Sequence, residues 1–355
     1  MKTVIVTPYN SENCGSFLQA WALQKVLENH GYQAEILKRS LKDTPYSTAG
    51  HLKLILIKTL KGQPGQVRLI RKTSANFRNA QKKLHIVKDY DPDACFILGS
   101  DTIWNFSSDY FRRHARLYLG LDQGPENCIT YAASVSDTDE KTFASVPDVS
   151  SALNTLDSIS VRDIRTQDMV KQFTERETAM VCDPTILLEP KYFAEILKEP
   201  QETQPYILIY YFRRFDEETK KHILELKEKK GLKLISFGGS RTWCDTCVPY
   251  DPFTFLGYMK NASFVITDTF HGTLFSVIYE RKFADYAKGR KKIVDFLNKV
   301  HMNNCIAEKD TDLNLLYERA YDYASVNKET EQMRKESEAW LMRALAEMEE
   351  HRRNR

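Results

Sequence analysis

Short apolar, β-rich runs alternate with longer helical patterns along most of this chain, and no other feature restricts its fold as strongly. Strand, helix and strand in repeated succession is the signature of parallel sheets with helices on their faces. Residues 3–7 predict the first strand. A polar loop (PYNSENCG) follows, and then residues 16–30 predict a helix. Its apolar positions Phe17, Ala20, Trp21, Leu23, Val26 and Leu27 keep helical spacing, and Gly31 lies just past its end. Further strands are expected at 34–37, 95–98, 129–133, 158–161 and 179–182.

The alternation pauses over 188–204, where proline and charge predict a connection carrying one short helix. A second series then opens, with strands at 206–211, 233–237, 264–267 and 283–285 and helices at 217–230 and 273–280. No internal repeat of fixed period is present. At 355 residues the chain is about twice the usual single-domain length. The expectation is therefore an α/β protein of two Rossmann-like parallel-sheet domains facing across a cleft. The first spans 1–190, a connection 191–204, the second 205–312, and a helical extension 313–355. From 327 to about 350 the chain lacks Gly and Pro, and Met333, Ser337, Trp340, Leu341, Ala344, Leu345 and Met348 form one apolar stripe. That stripe predicts an amphipathic C-terminal helix docked on the body, with a partner-binding helix as the other reading.

Composition narrows the class. The 51 basic residues nearly balance the 48 acidic ones, which does not suggest a nucleic-acid partner. The N-terminal run MKTVIVTPYN is too short for a signal-peptide core, and no stretch approaches the roughly 18 apolar residues needed to span a bilayer. Seven scattered cysteines fit buried thiols in a reducing compartment, so a cytoplasmic protein is expected. One segment stands out: from His51 to Lys88 there are ten Lys or Arg and no Asp or Glu.

In open parallel sheets, ligands bind beyond the carboxyl ends of the strands. Four segments have that context. In FVITDTFHGTLFS a strand ends before Thr269, His271, Gly272 and Thr273; a helix N-terminus there suits an anion, and His271 suits proton transfer near neutral pH. In FILGSDTIWN, Asp101 suits a base or a hydroxyl ligand, and Trp104 and Asn105 suit a sugar ring. In ISVRD, Arg162 would stand at a strand end as a bidentate anion ligand. In NSENCGS, Asn13, Gly15 and Ser16 would reach a ligand ahead of the first helix. Cys14 and His271 together would make a nucleophile pair, although one Cys and one His far apart in sequence is thin ground. Each residue also has a structural reading as cap, surface pair or core. The sequence contains no GxGxxG, HExxH, GxSxG or P-loop pattern, and the single CxxC at Cys244 and Cys247 has no second pair for zinc.

Taken in order, NCGSFLQAWALQKVL, FILGSDTIWN, YAAS, ISVRD, VCDPTILL, TDTFHGTLFS and GRKKIVDFLN resemble the polysaccharide pyruvyl transferase family. The resemblance implies a glycosyltransferase-B-like fold. It also implies transfer of a pyruvyl group from phosphoenolpyruvate to two sugar hydroxyls, forming a cyclic ketal in surface-glycan synthesis. No cofactor or metal is implied beyond phosphoenolpyruvate as co-substrate. His271 matches the family's functional histidine, with Asp101 as the second proton-transfer group. Arg162 in the first domain and Thr269, Gly272, Thr273, Arg290 and Lys292 in the second become donor-binding candidates, with the second domain as the expected donor side. Asn13, Gly15, Ser16, Trp104 and Asn105 become acceptor-binding candidates on the first. Lys292 departs from the family's arginine, and Thr102 stands where the family commonly has glutamine. The competing readings are a nucleotide-sugar glycosyltransferase on the same fold and a non-catalytic glycan- or anion-binding relative. The acceptor is expected to be a glycan or a lipid-linked saccharide, and the basic segment 51–88 a peripheral contact with the inner face of the membrane.

Overall fold

A computed structural model of the chain describes residues 2–39, 47–91, 93–287 and 289–354. Seven strands form the first sheet: β1 Lys2–Val6, β2 Gln33–Leu37, β3 Ile86–Val87, β4 Cys95–Asp101, β5 Cys128–Ala133, β6 Ile159–Val161 and β7 Thr178–Met180. Five form the second: β8 Tyr206–Tyr210, β9 Lys233–Phe237, β10 Thr246–Val248, β11 Phe264–Thr267 and β12 Phe283–Asp285. The spatial orders are β3-β2-β1-β4-β5-β6-β7 and β10-β9-β8-β11-β12, and every strand pairing is parallel. All positions of β4 and of β8 are buried, because helices cover both faces of a parallel sheet and its inner strands read as unbroken apolar runs. Each sheet changes winding direction beside its first strand, between β1 and β4 and between β8 and β11. Crevices open at such points.

The first helix, α1 (Cys14–Asn29), begins two residues before the sequence pattern suggests. The Asn13 side chain accepts hydrogen bonds from the Gly15 and Ser16 amides and caps it. Thirteen of its 16 residues are buried. One side lies on the first sheet and another meets helices of the second unit, with the Phe17 and Phe253 rings 5.8 Å apart. The basic segment forms two helices, α2 (Thr48–Leu60) and α3 (Pro64–Ala80), joined at Gly62, whose φ of +63° favours a residue without a side chain. Helices α4 (Ile164–Val170) and α5 (Pro184–Leu187) follow β6 and β7.

In the second unit, α6 (Glu217–Lys230) ends at Gly231 as expected, and α7 (Pro252–Asn261) packs toward α1. Helix α8 (Phe270–Ile278) starts three residues before the predicted Thr273, because the Thr269 hydroxyl caps it by accepting from the Gly272 amide at 2.9 Å. Helix α9 (Lys291–Lys299) follows β12. The final helix, α10 (Tyr323–Arg353), runs back to the first sheet. Leu341, Ala344, Leu345 and Met348 are buried there, and the Ser337 hydroxyl accepts the Cys182 amide at 2.8 Å. A single apolar cluster runs from Ile5 through Phe193 and Phe255 to Leu345, joining the two sheets behind the cleft.

Candidate active site

The carboxyl ends of both sheets point into one cavity of about 320 Å³. Asn13 and Ser16 reach it from the loop and helix after β1, Asp101 and Thr102 from the end of β4, and Ser134 and Ser136 from beyond β5. Arg162, Asp163 and Arg165 follow β6. From the opposite sheet come Tyr210 and Phe212 after β8, Thr269, Phe270 and His271 after β11, and 289–292 after β12. Residues far apart in sequence thus meet because each follows a strand end at or near the two points of reversed winding.

Arg162 lies at the centre with a guanidinium only 1% exposed. Its Nη1 donates to Asp183 Oδ2 at 2.7 Å and its Nη2 to Asp101 Oδ1 at 3.2 Å, while the Phe270 ring lies 4.9 Å from its charge centre. Asp183 follows β7 and also accepts the Thr185 amide at 3.0 Å and the Thr185 hydroxyl at 2.8 Å. Burial pushes the Asp183 carboxyl up, but His271, Arg162 and the Thr185 amide outweigh it and hold it well below the ordinary carboxylate value. A buried charge persists only when paired in this way.

Asp101 ends β4 with a φ of +76°, a left-handed conformation that non-glycine residues seldom adopt. Its Oδ2 accepts the Ser16 hydroxyl at 2.7 Å and its Oδ1 the Thr102 amide at 2.8 Å. Burial raises its pKa, yet Arg162, His271, Ser16 and Lys292 together leave it below the ordinary value. Asp101 is therefore a carboxylate, and a weak base, already engaged in holding Arg162.

His271 occupies the first turn of α8, with its ring pressed on the Gly15 backbone. A Cβ added to Gly15 would lie 2.1 Å from His271 Nδ1, so that position admits no side chain. His271 Nε2 is buried without a hydrogen-bond partner among the described residues and lies 3.6 Å from Asp183 Oδ2. An unsatisfied nitrogen beside a cavity is a group ready for a ligand or a proton.

Arg290, Lys291 and Lys292 at the start of α9 add positive charge to the same wall. The Arg290 guanidinium donates to the Asp268 carbonyl, and its Nη2 lies 3.8 Å from Asp268 Oδ2. Burial and the charge of Arg162 pull the Lys292 ammonium down to about 8, against the opposing pull of Asp101 and Asp163. Thr269 lines the cavity, but Gly272 and Thr273 stand behind it. A Cβ on Gly272 would meet Thr267 Oγ1 at 2.1 Å, and the Thr273 hydroxyl donates to the Thr269 carbonyl at 2.9 Å and to Asp285.

Two acceptor candidates are corrected. Trp104 is fully buried, with its indole N–H donated to the Tyr118 carbonyl at 3.0 Å and its ring against Phe143. Asn105 accepts the Thr138 hydroxyl at 3.4 Å away from the cavity. After Thr102 the chain turns inward, the Trp104 amide donating to the Ser134 carbonyl at 3.2 Å, so neither side chain lines the cavity. The Cys14 thiol is buried, and desolvation followed by Asp251 raises it well above its ordinary value, which removes it as a nucleophile. Among the described residues no group of three or more His, Cys, Asp or Glu is placed to hold a metal ion.

Asp183, Asp163, Arg165, Lys291, Phe270 and Phe212 were not singled out by sequence reasoning. Asp183 precedes Pro184 and reads as a helix cap, which it also is. Its position just past a strand was the signal that marks it.

Two open parallel sheets with their carboxyl ends turned toward a cationic cleft define a GT-B-like protein. Solved structures agree: the UDP-N-acetylglucosamine 2-epimerase of Rickettsia bellii shares 9% identity at a TM-score of 0.55, covering 98% of this chain and 96% of that one. The UDP-GlcNAc 2-epimerase of Neisseria meningitidis, solved bound to UDP-GlcNAc, shares 9% identity at a TM-score of 0.52, covering 98% of this chain and 100% of that one. At such identity the likeness is one of fold alone. Within that fold, the chain belongs to the polysaccharide pyruvyl transferase family, whose sequence pattern it matches over residues 13–284. No curated protein sequence matches the chain significantly.

Proposed function

We propose that the cleft transfers a pyruvyl group from phosphoenolpyruvate to two hydroxyls of a sugar, releasing phosphate and leaving a cyclic ketal. The observation that carries this reading is the buried His271 Nε2, which makes no hydrogen bond among the described residues, set with the cations Arg162, Arg290, Lys291 and Lys292 around one cavity. Phosphoenolpyruvate carries a carboxylate and a phosphate, and a wall of this kind takes both.

The chemistry requires that the methylene carbon take up a proton as the first hydroxyl oxygen bonds to C2 and gives up its own, leaving a methyl group and a tetrahedral phospho-ketal. The C2–phosphate bond then breaks, and the second hydroxyl oxygen bonds to C2 as it gives up its proton. His271 is suited to deliver and recover these protons, since its side chain lines the cavity and its Nε2 makes no hydrogen bond among the described residues. Arg162 and Lys292 offset charge on the departing phosphate. Asp101 fits the role of fixing Arg162 better than that of base.

With Trp104 in the core, an acceptor ring needs another platform. A groove of about 670 Å³ adjoins the cavity, sharing Asn13 and Phe212 with it and continuing past Phe215, Trp243 and Tyr250. Phe212 is 47% exposed. Aromatic faces of this kind suit the acceptor sugar.

The test measures phosphate release from phosphoenolpyruvate with a panel of saccharides. His271→Ala should lower turnover by about 10²- to 10⁴-fold while phosphoenolpyruvate still raises the melting temperature. Undiminished turnover in that variant, or a melting shift with nucleotide sugars and none with phosphoenolpyruvate, overturns the proposal.

A further inference from the structure

Five of the nine exposed large hydrophobic side chains among the described residues lie on α2: Leu52, Leu54, Leu56, Ile57 and Leu60. No residue of this 13-residue helix is buried. Leu52, Leu56 and Leu60 follow one another at four-residue spacing, so they form a ridge along one side, with Ile57 next to it. Leu52 is 63% exposed, Leu56 60% and Leu60 78%. Exposed apolar ridges of this kind mark surfaces that meet something.

What they meet is indicated by charge. Lys53 and Lys61 flank the ridge, and Arg68, Arg71 and Lys72 stand exposed on α3, the helix that packs against α2. None of these five forms an ion pair among the described residues, and the stretch from His51 to Lys88 contains no acid. A second copy of the chain seated symmetrically on this face would bring the same cations against one another. An anionic bilayer satisfies both halves of the pattern, taking the leucines among its acyl chains and the lysines and arginines at its headgroups. No helix among the described residues is long and apolar enough to cross a membrane, so the contact lies on the surface.

The helix pair is also tied to the mouth of the cleft. His51 Nε2 lies 3.0 Å from Glu12 Oε1, the Ser74 hydroxyl donates to Glu12 at 2.7 Å, and Asn76 Nδ2 donates to the Tyr250 carbonyl at 3.0 Å. Glu12 and Tyr250 both line the aromatic groove beside the cavity. We infer that α2 and α3 dock the protein on an anionic lipid surface, holding that groove close to it.

Vesicle co-sedimentation of the full chain tests this, comparing phosphatidylglycerol–phosphatidylcholine with phosphatidylcholine alone. It needs neither phosphoenolpyruvate nor acceptor, so its outcome is independent of the pyruvyl-transfer test. Binding is expected on the anionic vesicles only, and about 1 M salt should abolish most of it. Lys53→Glu/Lys61→Glu/Arg68→Glu should weaken partitioning by about a hundredfold. Leu52→Ser/Leu56→Ser/Leu60→Ser should weaken it by at least about tenfold. A triple reversal at Lys171, Lys221 and Lys229, exposed elsewhere, should leave it unchanged. Equal binding to both vesicle types, indifference to the first two variants, or a dimer in sedimentation velocity that the leucine variant dissolves would each overturn the inference.

Discussion

Replacing Asp183 with asparagine isolates the ion pair on which the cleft is built. The substitution keeps size and shape, and the Thr185 amide still finds an acceptor, but the charge facing Arg162 at 2.7 Å is gone. Arg162, 1% exposed, is left with Asp101 at 3.2 Å as its nearest carboxylate. Breaking one partner of a buried pair costs about 3–5 kcal/mol, and the surviving Asp101 contact favours the lower end, about 3 kcal/mol. For a unit of this size that corresponds to a melting temperature lower by roughly 6–12 °C. The pH dependence supplies a second readout. The folded carboxyl is depressed below the 3.8 of its unfolded counterpart, so its contribution is complete above that value and declines as pH falls toward the folded one. The gap between wild type and Asp183→Asn should therefore narrow by about 1 kcal/mol from pH 5 to pH 3. Circular-dichroism melts at pH 7 and in steps to pH 3 measure both effects. A loss under about 2 °C at pH 7, or a gap that stays constant with pH, would refute the claim that this carboxylate carries the charge of the cluster.

Lys292, held down to about 8 by burial and Arg162, should lose its charge as pH rises through that value. Accordingly kcat/KM for phosphoenolpyruvate should fall above pH ~8 in the wild type and stay flat in Lys292→Arg; matching profiles would remove Lys292 from donor binding. Gly15→Ala forces a Cβ to within 2.1 Å of His271 Nδ1, so the ring must rotate. Turnover should drop by more than about a hundredfold at a stability cost of about 1–3 kcal/mol, and an alanine variant with native turnover would show that the contact is idle.

Much of this architecture was legible because parallel strands carry their own signal. The runs at 206–211, 233–237, 264–267 and 283–285 are mostly apolar and bounded by helical patterns, and all four fold as strands, the first ending at Tyr210. Helix starts were less visible, since Asn13 and Thr269 act through side-chain caps that a pattern of apolar residues does not register. The two-residue β3 and the exposed-edged β10 escaped because edge pairing, and no apolar run, holds them. In the site, the rule that ligands gather past strand ends brings His271, Arg162, Asp101 and Lys292 into one cavity. The same rule misled at Trp104, only three residues past Asp101. Sequence proximity to a strand end does not say which way the chain turns, and here it turns into the core. Asp183 was obscured by serving two purposes, cap and counter-ion, of which only the first has a local pattern.

The return of α10 to the first sheet affects how the protein is made. Leu341, Ala344, Leu345 and Met348 belong to the same core as Ile5 and Ile97, yet more than 150 residues separate them from α5, which shares that core. At a synthesis rate of about 5–20 residues per second, the first sheet emerges from the ribosome roughly 8–30 s before its cover exists. During that interval the part of that face over β4 and β5, where α10 packs, lacks its native cover. The nascent chain must therefore be shielded by chaperones or make temporary contacts, and a premature stop before Leu341 would leave that face permanently open to aggregation rather than merely shorten the protein.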